Sequence, residues 1–328
     1  MLSRRQLLRS AAVASVAMPY IASGAFADDA WPAREIHAVC GFPPGSGADI
    51  FVRFYAKKLQ DALGKTVIVE NKTGAFGNIA TEYLARSKPD GYTIGIMPGS
   101  SFLAAASSLF NKLPFDPIND FEHIALLSEL PFLLCVAGDG PFKTLPELTA
   151  FLKEKGDQGS YGSLANTGIV SSELYKAQFG LKTVEVKYKE AGSCLNDLYG
   201  SNIAFAHIDP AFAAAHVKSG KLRALATSAA NRLEALKDIP SAKDVGIENC
   251  NIIAWWSVHG PKGLPKPIVE RLTKVFAEIA VAPDTKKFLA DSGSDPFPGG
   301  PDKLKELLIA DTKAWAGYVK LAKIDKIS

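Results

Sequence analysis

Ile36-His-Ala-Val-Cys-Gly-Phe-Pro-Pro-Gly-Ser-Gly-Ala-Asp49 is the stretch from which the fold can be read. An apolar run stops at Gly41, a Pro-Pro-Gly-Ser-Gly turn follows, and a helical pattern begins at Ala48. A strand, a glycine-rich turn and a helix start aim free backbone N–H groups into the crevice beyond the strand end. The helix start adds roughly half a positive charge. The segment Phe42, Pro43, Pro44, Gly45, Ser46, Gly47 is therefore a cradle for a small anion. Gly45 and Gly47 permit positive φ and close approach of a ligand. Ser46 offers a hydroxyl, and Asp49 either caps the helix or meets the ligand. Nucleotides do not fit. A phosphate loop needs Gly-Lys-Ser/Thr after the turn, and a dinucleotide fingerprint needs a third glycine where Phe51 stands.

The same alternation of strand and helix signals continues along the chain, which predicts an α/β fold with mostly parallel sheets. Strands are expected at 36–40, 67–70, 92–97, 124–127 and 132–136, with helices at 49–63, 78–86 and 101–109. A second series follows, with strands at 159–163, 184–188, 203–207 and 222–227. Its helices fall at 145–155, 169–179, 193–199 and 210–219. The tail holds a strand at 252–259 and helices at 267–280, 284–291 and 302–321. About 300 residues of this kind divide into two domains of ordinary size. The expected division is a first lobe of residues 28–128 and 256–328 and a second lobe of 129–255, joined by two crossings.

Further strand-to-helix loops extend the cradle. Gly74, Ala75, Phe76 and Gly77 lie between the second strand and its helix. In a parallel sheet this loop shares the C-terminal edge with the first, where ligands of open α/β sheets collect. Phe76 reads either as a pocket wall or as a buried aromatic. In the second lobe, Ser163, Asn166 and Thr167 occupy the equivalent loop, with Ser193 and Asp209 in the two that follow. Their hydroxyls, amide and carboxylate suit helix capping as well as ligand contact.

Residues 1–27 read as an export signal. Ser3-Arg4-Arg5-Gln6-Leu7-Leu8 is a twin-arginine pattern, Ala11–Ile21 is apolar, and Ala25-Phe26-Ala27 is a cleavage signal. The apolar run falls short of the roughly 20 residues that a membrane-spanning helix needs. Removing the signal takes three of the 37 basic residues and none of the 34 acidic ones, so the remainder carries no net charge. A nucleic-acid role is not expected. Cys40, Cys135, Cys194 and Cys250 are widely spaced and read as buried free thiols, although an exported protein also allows a disulfide that sequence cannot pair. The five histidines show no metal-ligand spacing, and neither a Gly-x-Ser-x-Gly elbow nor a His-Glu-x-x-His motif occurs. No cofactor, metal or catalytic centre is expected, although His207 and Asp209 leave a serine-hydrolase arrangement open with no marked serine.

Together these blocks resemble the Bug/TctC family, the extracytoplasmic receptors of tripartite tricarboxylate transporters. The resemblance runs through Trp31-Pro-Ala-Arg-Glu-Ile36, Phe42-Pro-Pro-Gly45, Val69-Glu-Asn71, Gly74-Ala75, Gly77 and Lys88-Pro-Asp-Gly-Tyr-Thr93. It continues in Tyr188-Lys189, Asp197-Leu198, Gly220-Lys-Leu-Arg-Ala-Leu-Ala226 and Pro261-Lys-Gly-Leu-Pro-Lys-Pro-Ile268. It implies a type II periplasmic-binding fold whose two lobes close on a small carboxylate, held by backbone N–H groups and waters. It also implies a monomeric periplasmic protein that delivers its ligand to the membrane subunits of a transporter. A sensor that presents the same ligand to a membrane signalling partner would have the same features. The chain departs from the family pattern at Ser46, where glycine is usual, at Ser163-Leu-Ala-Asn-Thr167, and at Glu190 with Ser193-Cys194. These positions lie in the loops that select the ligand, so a di- or tricarboxylate and an aromatic carboxylate both remain open.

Overall fold

The computed structural model describes residues 31–164, 166–188 and 190–327. The expected export signal lies outside them. In the first segment β1 (Ile36–Cys40), α1 (Gly47–Leu63), β2 (Val67–Asn71), α2 (Asn78–Ala85) and β3 (Thr93–Pro98) follow one another. A π-type turn over Ser100–Ala104, a short α3 (Ala106–Leu109) and β4 (Phe121–Pro131) complete it. The middle of the chain forms β5 (Leu133–Ala137), α4 (Leu145–Lys155), β6 (Ser160–Ser163), α5 (Asn166–Phe179) and β7 (Val184–Lys187). It continues with α6 (Ala191–Tyr199), β8 (Phe205–Ile208), α7 (Pro210–Lys218) and β9 (Leu222–Thr227). The tail adds β10 (Ile253–Pro261), α8 (Lys266–Val281), α9 (Pro283–Asp291), β11 (Asp295–Gly299) and α10 (Pro301–Leu321).

The strands form two sheets, ordered β11-β4-β10-β3-β1-β2 and β7-β6-β8-β5-β9. Both are mixed, not mostly parallel as the alternation suggested. β1 pairs in parallel with β2 and β3, and β6 with β7 and β8. The strands that carry the chain between the sheets run antiparallel to their neighbours. Strands entering from the other lobe need no crossover helix, so nothing forces them parallel. Residues 129–131 and 253–255, assigned by sequence to the second lobe, pair within the first sheet. β11 escaped the sequence reading because Asp-Pro-Phe-Pro-Gly looks like a loop; as an edge strand it tolerates its prolines.

Helical periodicity accounts for the packing. α1 buries Phe51, Val52, Tyr55, Ala56 and Leu59, spaced three and four apart, against β1 and β3. α10 buries Leu304, Leu308, Trp315 and Val319. It lies in a core that also holds Met97 and Leu126 of the first sheet and Leu134, Val136 and Tyr161 of the second. Each such large side chain contributes about 1.5–3 kcal/mol of burial, so α10 binds the two lobes into one structure. At the crossings, Ser228 accepts from the Phe132 N–H through Oγ and returns its own N–H to Phe132 O, both at 2.8 Å. The same Oγ donates to Ile252 O at 2.6 Å. All four cysteines are free and buried.

Candidate functional site

In the first sheet the order β2-β1-β3 sends the chain from β1 to one side and then back across it. The switch point is the crevice beyond the ends of β1 and β3. Three loops meet there.

The first loop is built from its own polar groups. Gly45 takes a positive φ of 79°, whereas Gly47 already belongs to the helix and does not. Ser46, not Asp49, is the N-cap of α1: its Oγ accepts from the Asp49 N–H at 3.2 Å and donates to Pro43 O at 2.8 Å. The hydroxyl expected to greet a ligand is thus turned into the cap. Asp49 is buried, 1% exposed. It accepts from the Gly45 N–H at 2.8 Å, Arg53 Nε at 2.8 Å and Asn71 Nδ2 at 2.7 Å. Burial works to raise its carboxyl, but the bonds from Arg53, Asn71 and Gly45 outweigh burial and hold it below the usual carboxylate range. Asn71 also donates to Phe42 O at 2.9 Å, tying the loop to the end of β2. The N–H groups of Gly47 and Ala48, in the first turn of α1, have no intrahelical acceptor.

The second loop is left-handed throughout. Gly74, Ala75, Phe76 and Gly77 have φ of 123°, 46°, 53° and 92°. An L-residue held there costs roughly 1–2 kcal/mol, so Ala75 and Phe76 are under strain. Phe76 is 52% exposed and touches Phe110, with ring centroids 6.0 Å apart. That rules out the buried-aromatic reading. α2 then starts from Gly77 without a side-chain cap.

The third loop, Pro98-Gly-Ser-Ser-Phe102, was not singled out by sequence. Phe102 fills the space between the other two: a Cβ on Gly41 would meet its ring at 2.4 Å, and one on Gly77 at 2.2 Å. Its ring stacks on Phe42, with centroids 5.2 Å apart. Gly77 is glycine because Phe102 and the positive φ demand it. The third loop follows a strand parallel to β1, so the rule used for the first two loops also marks it. The following residues were read instead as an ordinary helix.

The second sheet repeats the plan with β7-β6-β8. Ser163 ends β6, buried, its Oγ donating to Glu185 Oε1 at 2.6 Å. Asn166 and Thr167 are buried in the first turn of α5. A Cβ on Gly168 would meet His207 O at 2.8 Å, so this turn sits directly on the end of β8. Asp209 caps α7 through the Ala211 N–H at 2.8 Å, and burial raises its carboxyl despite that bond and one from Phe212. Ser193 is exposed in the first turn of α6, and Glu190 stands exposed before it without a side-chain cap bond. His207 does find a serine: its Nδ1 lies 2.8 Å from Ser172 Oγ. Both are buried, burial lowers the imidazole to about 3, and Asp209 turns to its own helix. No hydrogen bond among the described residues joins Asp209 to His207.

Each lobe thus presents helix starts at one sheet edge, a geometry for holding an anion with backbone N–H groups. Surface hollows of about 330 and 590 Å³ lie elsewhere, beside α10 around Tyr318 and around Lys320. Converging strand ends, not hollow volume, define this site. Among the described residues no cluster of three or more His, Cys, Asp or Glu suits a metal, and no helix is long and apolar enough to cross a membrane.

Residues 51–323 match the family model described as the tripartite tricarboxylate transporter family receptor, TctC. Protein BugT of Bordetella pertussis is 28% identical over 94% of each chain. A structure of an R. palustris protein with adipate has a TM-score of 0.82 at 27% identity, covering 90% of this chain and 100% of the other. MatC from Rhodopseudomonas palustris with bound malate gives 0.78 at 26% identity, covering 88% of this chain and 99% of the other. The periplasmic binding protein BugD gives 0.80 at 27%, covering 90% of this chain and 100% of the other.

Proposed function

Given that the chain belongs to the TctC family of tripartite tricarboxylate transporter receptors, we propose that it is a monomeric periplasmic receptor for a small organic carboxylate. It closes its two lobes on that ligand and hands it to the membrane subunits of a transporter. The observation that carries this reading is the pair of helix starts, α1 and α2, facing the switch point beyond β1. The Gly47 and Ala48 N–H groups of α1 remain unspent there. Relatives of the same fold hold adipate and malate.

The first-lobe loops take one carboxylate end. The turn at Asn166–Thr167 and the starts of α6 and α7 close over the remainder of the ligand. Phe42 and Phe76 provide apolar wall for its carbon body, and the crossings tied at Ser228 serve as the hinge. A hydrogen bond to a charged group contributes about 1.5–3 kcal/mol. Three or four of them, less the cost of closure, suffice for a micromolar Kd of about −8 kcal/mol. Nothing in the geometry of Ser172, His207 and Asp209 supports the hydrolase alternative.

The test is thermal melting with acetate, malate, adipate, citrate and benzoate, joined to mass spectrometry of ligand released from the native protein. Stabilisation by at least one acid is expected. No shift with any of them, and no released acid, would overturn the reading. Capture of transporter subunits by the loaded protein, rather than a membrane kinase, separates transport from sensing.

A further inference from the structure

Asp311 lies on α10, which packs on the Ser100–Ala104 turn, and its Oδ2 accepts the indole N–H of Trp255 at 2.8 Å. Trp315 lies one turn further along α10, and its indole also favours the ionised carboxylate. Trp255 belongs to β10, the strand that returns the chain from the second lobe. Its ring presses on the third loop so closely that a Cβ on Gly99 would meet it at 2.0 Å. Its backbone N–H reaches Ser100 Oγ at 3.3 Å. Phe102, in the same turn, is the ring that packs against Gly41 and Gly77 of the other two loops. A continuous run of contacts therefore joins a carboxylate on the outer helix to all three first-lobe loops.

We propose that Asp311 is a positioning residue for ligand capture, fixing the third loop through Trp255, and that ligand affinity depends on whether this carboxylate is ionised. The inference rests on the receptor function proposed above. An ionised carboxylate accepts the Trp255 indole N–H in a charge-assisted bond. A protonated one has turned an oxygen into a donor and holds it less well. Burial raises Asp311 to about 6, against the opposing effect of the two indoles, so the change falls at mildly acidic pH.

Among the described residues, no other charged group shifts Asp311. β10 presents Trp255, α10 presents Trp315 and Tyr318, the segment before β10 presents Cys250, and the π-type turn Ser100–Ala104 holds only uncharged residues. Burial pushes the Tyr318 phenol up and the Cys250 thiol up to about 12, so both stay neutral. No charged group of β4 or α5 contributes to the shift of Asp311.

The test uses the full chain, Asp311→Asn and Trp255→Phe. Amide hydrogen exchange at residues 99–104 is read without ligand at pH 7.5 and 5.0, corrected for intrinsic rates. Affinity is read by calorimetry with the panel acid that stabilises the wild type most. Wild-type exchange is expected to quicken at least fivefold at pH 5.0, with both variants fast at both pH values. Wild-type affinity should fall three- to tenfold on acidification, while Asp311→Asn binds weakly and without that slope. Trp255→Phe loses the N–H together with the far edge of the indole that meets Gly99, so loss of the wild-type pH slope in this variant, not its rate alone, decides the matter if Asp311→Asn folds poorly. Unchanged exchange in the variants, or one pH slope shared by wild type and Asp311→Asn, overturns the proposal. If no panel acid binds the wild type, the receptor reading fails, and the exchange data still decide whether Asp311 positions the loop.

Discussion

Phe132 and Ser228 exchange two hydrogen bonds of 2.8 Å, one through the Ser228 backbone N–H and one through its Oγ. They stand on the two different crossings between the lobes, so this pair is where the crossings are joined. The Oγ also donates to Ile252 O, and Ile252 N–H returns to Ser228 O at 2.9 Å. Replacing Ser228 by Ala leaves the Phe132 N–H and Ile252 O without that partner in a buried place. A loss of about 1–3 kcal/mol is expected, measured by urea unfolding. If the crossings form the hinge, small-angle scattering should also show a smaller ligand-induced compaction than in the wild type.

Ser46 and Asp49 should separate in mutation. Ser46→Ala removes a helix cap and should cost about 1 kcal/mol, with ligand affinity changed less than twofold because the hydroxyl already bonds to Pro43 O. Asp49→Ala leaves Arg53, Asn71 and the Gly45 N–H without their acceptor. Arg53 is half exposed, which discounts the ion pair. A loss of about 2 kcal/mol is expected from the hydrogen bonds to this charged group, with a marked loss of affinity as the loop comes loose. Equal affinity in Asp49→Ala and wild type would show that the loop holds its shape without this carboxylate.

Two glycines give the opposite contrast. Gly77→Ala meets the Phe102 ring and a φ of 92°, so it should unfold the site or lower the melting temperature by several degrees. Gly47→Ala has open space and a helical backbone and should be neutral or slightly stabilising in the melt. If the Gly47 and Ala48 N–H groups hold the ligand, the added methyl lowers affinity all the same. Calorimetric titration of a folded Gly47→Ala protein reads this directly.

Phe102→Ala should cost about 3–5 kcal/mol, the usual penalty for deleting a buried aromatic ring. Affinity should fall with it, since the Gly41 and Gly77 backbones lose their common support. Phe102→Leu refills part of the space and should recover part of both in parallel denaturation and titration series.

Asp311 also predicts how stability depends on pH. Its folded value, about 6, exceeds its ordinary value of 3.8. The folded state therefore holds the extra proton, and the stabilisation is fully present below about 4 and lost as pH rises through 6. The shift corresponds to on the order of 2–3 kcal/mol. Measured against Asp311→Asn, wild-type unfolding free energy should decline by that order between pH 4 and 7. Affinity should move the other way, rising with pH, because the ionised form grips Trp255.

Much of the architecture was readable because it rests on local chemistry. Pro-Pro-Gly at 43–45 makes a turn, the 51-52-55-56-59 spacing makes an amphipathic helix, and the chain order places both at a strand end. The mixed sheets were not readable, since the directions of β4 and β10 follow from where the chain crosses between lobes. Nor was Phe102, an aromatic in an apolar run whose meaning lies in two glycines 61 and 25 positions before it.

The sequence by itself determined that strand ends, glycine turns and helix starts alternate, and hence that backbone N–H groups gather at the strand ends. Only the tertiary structure decided which of those groups are already used. It turned Ser46 into its own cap, set Asp49 against Gly45, seated Phe102 between two loops and hung Trp255 from Asp311. The physical reason is that a turn or helix start is set by neighbouring residues. Satisfying a buried carboxylate or filling the space around a ring depends on residues brought together from distant parts of the chain.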